Sequence, residues 1–188
     1  MPLKWFTRIV MLVALASAPG VNATTLEAAL KSLDAGVNAN AVEVVRKHAN
    51  DGDALAQLRL GSLYYHGQGI VEDEIAAISW WKKSAASGNA EAMYQIAHAY
   101  LFGTTAAKSV ADPDREAAIW CIKAANANHA DAAYTLGLLL IAGKGVIEDK
   151  AEAVRWFHRA AAQGHAEARK AVETTEKAIL RPVPKPKR

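Results

Sequence analysis

Apolar residues along this chain recur three and four positions apart, the spacing of one face of a helix, and the runs are closed by glycine, asparagine or proline. Between Asp53 and Gly88 the chain reads DALAQLRLGSLYYHGQGIVEDEIAAISWWKKSAASG, two such runs separated by a Gly-x-Gly turn. The pattern then returns twice. Leu60-Gly61 reappears as Ile96-Ala97 and Leu136-Gly137, Gly67 as Gly103 and Gly143, and Trp80 as Trp120 and Trp156. The offsets are 36 and then 40 residues in the first half of the unit, 40 and then 36 in the second, so four residues are inserted between Gly103 and Trp120. Register kept on both sides of an insertion confined to one loop is the mark of a structural repeat.

Each unit predicts two antiparallel helices. The first begins at Ala54, Ala90 and Ala130, each behind a residue able to cap it: Asp53, Asn89 and His129. It is expected to end at Gly67, Gly103 and Gly143, where a positive φ suits glycine. The second begins near Asp73, Pro113 and Asp149 and ends at Gly88, Asn128 and Gly164. Gly61, Ala97 and Gly137 lie mid-helix, where glycine costs up to ~1 kcal/mol relative to alanine. They are therefore expected to admit close helix approach, with Trp80, Trp120 and Trp156 as the large partners.

The ends of the chain differ. Residues 1–23 carry Lys4 and Arg8, an apolar run from Ile9 to Ala16, and small residues at Val21 and Ala23, the form of a cleaved secretory signal. The apolar run is short of the ~20 residues that span a bilayer, so stable membrane insertion after cleavage is not expected. Residues 24–52 form a degenerate capping repeat in which Val44 and Val45 replace the tryptophans. Units at 53–88, 89–128 and 129–164 follow, then a capping helix at 165–180 and a basic, proline-rich tail at 181–188 that is expected to be disordered.

These units resemble Sel-one-like repeats, relatives of tetratricopeptide repeats. The residues that carry the resemblance are Leu60-Gly61, Tyr64, Gly67-Gln68-Gly69-Ile70 and Ala77 to Gly88, and in the third unit Tyr134 to Gly137, Gly143 to Val146, Asp149, Ala153, Trp156 and Ala160-Ala161. The second unit departs from the pattern with Ala97 for glycine and Thr104 to Ser109 in place of a short turn. The resemblance implies an all-α fold, a right-handed α-solenoid of about three full repeats plus terminal half-repeats, and a role in binding another protein or peptide. Combined with the export signal, it predicts a periplasmic, non-enzymatic interaction module. The alternatives are an immunity protein neutralising a phospholipase-type toxin, since small exported proteins of this kind resemble some so paired, and a cell-envelope regulator or scaffold.

Charge and chemistry narrow this further. Two of the 22 basic residues precede Ala23 and four lie in the last eight, so residues 24–180 hold 16 basic against 19 acidic residues and are net −3. A nucleic-acid footprint needs a basic face on the folded part, and none is visible. Cys121 is the single cysteine, so no internal disulfide forms, and its position, taken by Trp81 and Phe157 in the other units, reads as buried core. His129 and His165 share the turn position of Asn89, and neither His66 nor His98 has a second ligand at i+3 or i+4, so no metal site is predicted. Glu72, Asp73, Glu148 and Asp149 recur at helix starts, where acids complement the helix dipole. No catalytic constellation and no cofactor site emerges. What remains is the inner face of the solenoid, a stripe of Leu55, Arg59, Ser62 and His66, then Glu91, Gln95, His98 and Phe102, then Asp131, Thr135, Leu138 and Ala142, where a partner is expected to lie.

Overall fold

A computed structural model describes residues 25–36 and 38–180, so the signal segment expected at 1–23 and the tail at 181–188 lie outside the described residues. In chain order the helices are α1 Leu26–Ala35, α2 Ala39–Asn50, α3 Ala54–His66, α4 Glu74–Ala86, α5 Ala90–Phe102, α6 Thr104–Lys108, α7 Pro113–Asn126, α8 Ala130–Ala142, α9 Lys150–Ala162 and α10 Ala166–Leu180. They pack as consecutive pairs, α1 on α2, α3 on α4, α5 on α7 and α8 on α9, and each pair stacks on the next through α2 with α3, α4 with α5, α7 with α8 and α9 with α10. The result is an α-solenoid. Among the described residues no helix is long and apolar enough to cross a membrane.

The local signals account for the helix ends. Asp53, Asp73, Asn89, Asp112 and Asp149 each accept a hydrogen bond from the backbone N–H three residues on, at 2.8 to 3.0 Å. Gly67 and Gly143 take the left-handed conformation at φ +63° and +60°. Gly103 does not: its φ is −70°, and the chain runs on directly into α6, a helix within the insertion where a longer loop was expected. The reason is Glu74 at the start of α4, whose carboxylate accepts from the backbone N–H groups of Thr104, Thr105 and Ala106 at 3.1, 2.9 and 2.7 Å. Burial opposes the charge on Glu74, but these donors outweigh it and hold the carboxyl below its ordinary range.

The core corrects the assignment of the large partners. A Cβ built on Gly61 meets the indole of Trp81 at 2.5 Å, and one on Gly137 meets the ring of Phe157 at 2.4 Å. The aromatic faces opposing the glycines are thus Trp81 and Phe157, both nearly inaccessible, and not Trp80, Trp120 and Trp156. Those three are half-buried and sit under the cationic groups of Lys83, Lys123 and Arg159, 3.6, 4.0 and 4.5 Å from the ring centroids. Helical periodicity explains the exchange, because Trp81 continues the buried stripe of Ala77, Ser84 and Ala85 and Trp80 lies one position off it. Cys121 and Val45 occupy the position of Trp81 in their own repeats, and both are fully buried, as expected.

Candidate interaction face

The predicted stripe lies on α3, α5 and α8, the first helix of each repeat, and the repeat register sets its residues in rows. In the row nearest the helix starts, Glu91 and Asp131 are braces between repeats. The Nδ1 of His129 accepts from the Ala132 N–H at 3.2 Å, so its Nε2 carries the proton and donates to Glu91 at 2.8 Å. His165 repeats the arrangement, with Nδ1 accepting from the Ala168 N–H at 3.2 Å and Nε2 lying 3.3 Å from Asp131. The two imidazoles stack on Tyr94 and Tyr134 with centroids 4.7 and 4.4 Å apart. Glu91 also accepts from Gln95 at 2.6 Å, and the bond from His129 is the main cause of a carboxyl held below its usual range.

The middle row is also largely committed. Arg59 pairs with Asp34 of α1, and the Ser62 hydroxyl donates to the Leu58 carbonyl at 3.2 Å. Thr135 lies against Tyr94. Of the predicted stripe the side chains left free are apolar or aromatic: Leu55 is 48 % exposed, Leu138 44 % and Phe102 68 %. His98 lies against Phe102 at 4.7 Å between ring centroids and 6.5 Å from Tyr65, which meets His66 edge-on at 5.1 Å. Partial burial, then the neighbouring His66, push the His98 imidazole below its ordinary range. Ala142 is exposed at the end of α8.

Beyond Leu138 the face opens into a groove of about 440 Å³ walled by Tyr134, Leu138 and Ile141 on one side and by Glu167, Lys170 and Ala171 of α10 on the other. The α10 wall is absent from the sequence-based stripe, yet the signal was present: Glu167, Ala171 and Thr174 lie 36 residues after Asp131, Thr135 and Leu138. Extending the repeat register into the capping helix finds them. At the other end Arg59, Asp34, Ser62 and Gln68 line a polar hollow of about 290 Å³.

Burial pushes the Cys121 thiol up to about 12, which removes it as a nucleophile at neutral pH. Among the described residues no three His, Cys, Asp or Glu side chains converge as metal ligands.

Comparison with known proteins fits this geometry. Residues 54–89, 90–129 and 130–165 each match the Sel1 repeat. Chitin synthase regulatory factor 3 of Schizosaccharomyces pombe is 33 % identical over 132 residues, which are 70 % of this chain and 14 % of that protein. The crystal structure of a Sel1 repeat protein from Oxalobacter formigenes superposes with a TM-score of 0.72 at 27 % identity, covering 80 % of this chain and 60 % of the other. Cysteine-rich protein B of Helicobacter pylori shares the fold at a TM-score of 0.55 and 22 % identity, over 69 % of this chain and 92 % of its own. The chain thus spans a small part of the fungal relative and under two thirds of the Oxalobacter protein. Sel1 repeats generally mediate protein–protein interaction, and no enzyme family is indicated. With three matched repeats covering more than half of its length, the chain belongs to the Sel1 repeat family.

Proposed function

We propose that this protein is a non-enzymatic interaction module of the periplasm that docks another protein along the inner face of α3, α5 and α8. The observation that carries the reading is the exposure of Leu55, Phe102 and Leu138 on a face whose charged side chains are already paired within the fold. Exposed apolar groups framed by satisfied polar ones characterise a contact surface. The three Sel1 repeats, a repeat that generally mediates protein–protein interaction, support a protein partner. Export is inferred from Lys4, Arg8, the run from Ile9 to Ala16 and the small residues at Val21 and Ala23.

Replacing Phe102 and Leu138 together with serine is expected to abolish recovery of the partner in pull-downs from periplasmic extract, with the helical circular dichroism unchanged. Partner recovery equal to that of the unaltered protein removes the inner face from consideration. For the location, osmotic-shock fractionation is expected to release a protein shortened by the 23 leading residues. Retention of the full-length chain in the cytoplasm refutes export.

A further inference from the structure

We propose that a second surface of this protein, the row of Lys83, Lys123 and Arg159 over Trp80, Trp120 and Trp156, continued by Lys47, holds an extended acidic segment of a partner protein. The row lies on α2, α4, α7 and α9, the second helices of the repeats, so it stands independently of the inner-face reading.

The repeat register sets the row. Lys47, Lys83, Lys123 and Arg159 follow one another at 36, 40 and 36 residues, the offsets of the second half of the unit. No other position of these helices carries a formal charge in all four repeats, and the adjacent one runs Arg46, Lys82, Ile122 and His158. All four cations are exposed and stand in the last turn of their helices. A cation there complements the helix dipole, but α5 and α8 end with no basic residue in the last turn, and the dipole asks for no ring. Three of the four nonetheless rest on the indole three residues earlier, 3.6, 4.0 and 4.5 Å from the ring centroids. The ring holds the side chain against the helix while water still reaches the charge. A cation already ordered in this way loses little freedom when an anion meets it.

The charges around the row select the partner. Among the described residues none of the four cations has a carboxylate within 4.0 Å. Arg159 donates instead to the Ala125 carbonyl of the preceding repeat at 3.4 Å, which joins the row across α7 and α9. Glu43 and Glu152 on the same helices pair with Arg46 and Arg155, and the first-turn acids Glu91, Asp131 and Glu167 lie beside His129 and His165. The remaining acids close by in the chain are Asp51 and Asp53 after Lys47 and Glu116 two turns before Lys123. They make the Lys47 end the weakest, and they decide the class of ligand. A nucleic acid, with a charge every ~1.7 Å, meets these acids on a body that is net −3 over residues 24–180. A peptide sets a few carboxylates against the cations and uncharged residues between them. Sel1 repeats generally mediate protein–protein interaction, which favours that occupant. Exposed ion pairs are individually weak and screened by salt, so the affinity comes from several formed at once.

The test uses the full chain, isotopically labelled, titrated by nuclear magnetic resonance with three end-blocked peptides of equal length: alternating glutamate and serine, alternating lysine and serine, and serine alone. The glutamate peptide is expected to bind best and to shift the indole N–H resonances of Trp80, Trp120 and Trp156, with that of buried Trp81 unmoved. Its affinity is expected to fall about tenfold between low and physiological ionic strength. The variant carrying Lys83→Gln, Lys123→Gln and Arg159→Gln is expected to lose roughly tenfold or more in affinity with its helical circular dichroism unchanged. The variant carrying Lys31→Gln, Lys170→Gln and Lys177→Gln removes as many exposed cations away from the row, and it is expected to stay within about twofold of the unaltered chain. Equal losses from the two variants, no binding of the glutamate peptide, or equal binding of the lysine or serine peptide overturns the proposal. Shifts at Phe102 and Leu138 in place of the three indoles also overturn it. Phosphatidylglycerol vesicles that bind through Lys83, Lys123 and Arg159 while the glutamate peptide does not reassign the row to a lipid surface and refute the protein partner. None of these outcomes alters the inner-face reading, which Phe102 and Leu138 test separately.

Discussion

Single residues decide how closely the helices approach, and they do so in matched pairs. Gly61 opposes Trp81 and Gly137 opposes Phe157, whereas the second repeat sets Ala97 and Cys121, both fully buried in one cluster, at the same two positions. A small residue faces a large ring, or two residues of intermediate size share the space. The Trp81 ring cannot swing aside, because it is buried and its Nε1–H donates to the Leu58 carbonyl at 3.1 Å. Gly61→Ala and Gly137→Ala are therefore expected to lower stability by about 1–3 kcal/mol each, the usual cost of overpacking, although alanine is the better helix former. Urea denaturation measures this, and a stabilised variant contradicts it. In the second repeat Cys121→Phe alone is expected to destabilise and Cys121→Phe with Ala97→Gly to recover part of the loss, read as a coupling in a double-mutant cycle.

At the scale of elements, the junctions between repeats are held by two different devices. His129 and His165 cap one helix with one ring nitrogen and reach the first helix of the preceding repeat with the other, while at the first junction Asn89 caps and the repeat position of Glu91 and Asp131 is held by Leu55, which offers no acceptor. That junction is secured at its other edge, where Glu74 of α4 grips α6. Glu74→Ala is expected to speed amide hydrogen exchange throughout residues 104–108 and to leave α8 and α9 protected, since three N–H groups lose their acceptor. Unchanged exchange there shows that α6 holds by its own propensity. The His129 brace carries a pH dependence. The carboxyl of Glu91 is depressed in the folded protein, so its contribution to stability is present above the unfolded carboxyl range near pH 4.5 and is lost as the pH falls through the folded value. His129→Asn keeps a cap but cannot reach Glu91, and it is expected to flatten the acid limb of the stability curve, whereas His129→Ala also loses the cap, worth about 1 kcal/mol.

For the molecule as a whole, stacking of neighbours makes stability a sum of local terms. The core divides accordingly into three clusters along the stack, the last closed by Ala168 and Val172 of α10. Ending the chain after Leu180 removes four cations and three prolines but no apolar run able to join a core, so the thermal midpoint is expected to stay within about a degree. Ending it after Gly164 uncovers the cluster around Phe157 and Leu136 and is expected to lower the midpoint by several degrees or more. A fall of that size from the shorter truncation shows that the tail packs on the solenoid.

The sequence by itself determined the number of repeats, the helix starts and the site of the insertion, because each rests on local chemistry: capping side chains, glycines at positive φ and the 3.6-residue period. It also assigned Phe102, Leu138 and Leu55 to one stripe on the first helices of the repeats, where all three are exposed, since the repeat register carries a position from one helix to the next. Only the tertiary structure decided which of two adjacent aromatics fills the space above Gly61, because a shift of one residue turns a side chain through about 100° and the Trp-Trp pair offers both choices. It likewise decided that Glu91, Asp131 and Arg59 face partners within the fold, that Glu74 turns the insertion into a helix, and that α10 walls the groove. These outcomes rest on contacts between residues some 25 to 38 positions apart, which repeat spacing predicts as neighbours but whose side-chain pairing depends on how closely the helices settle.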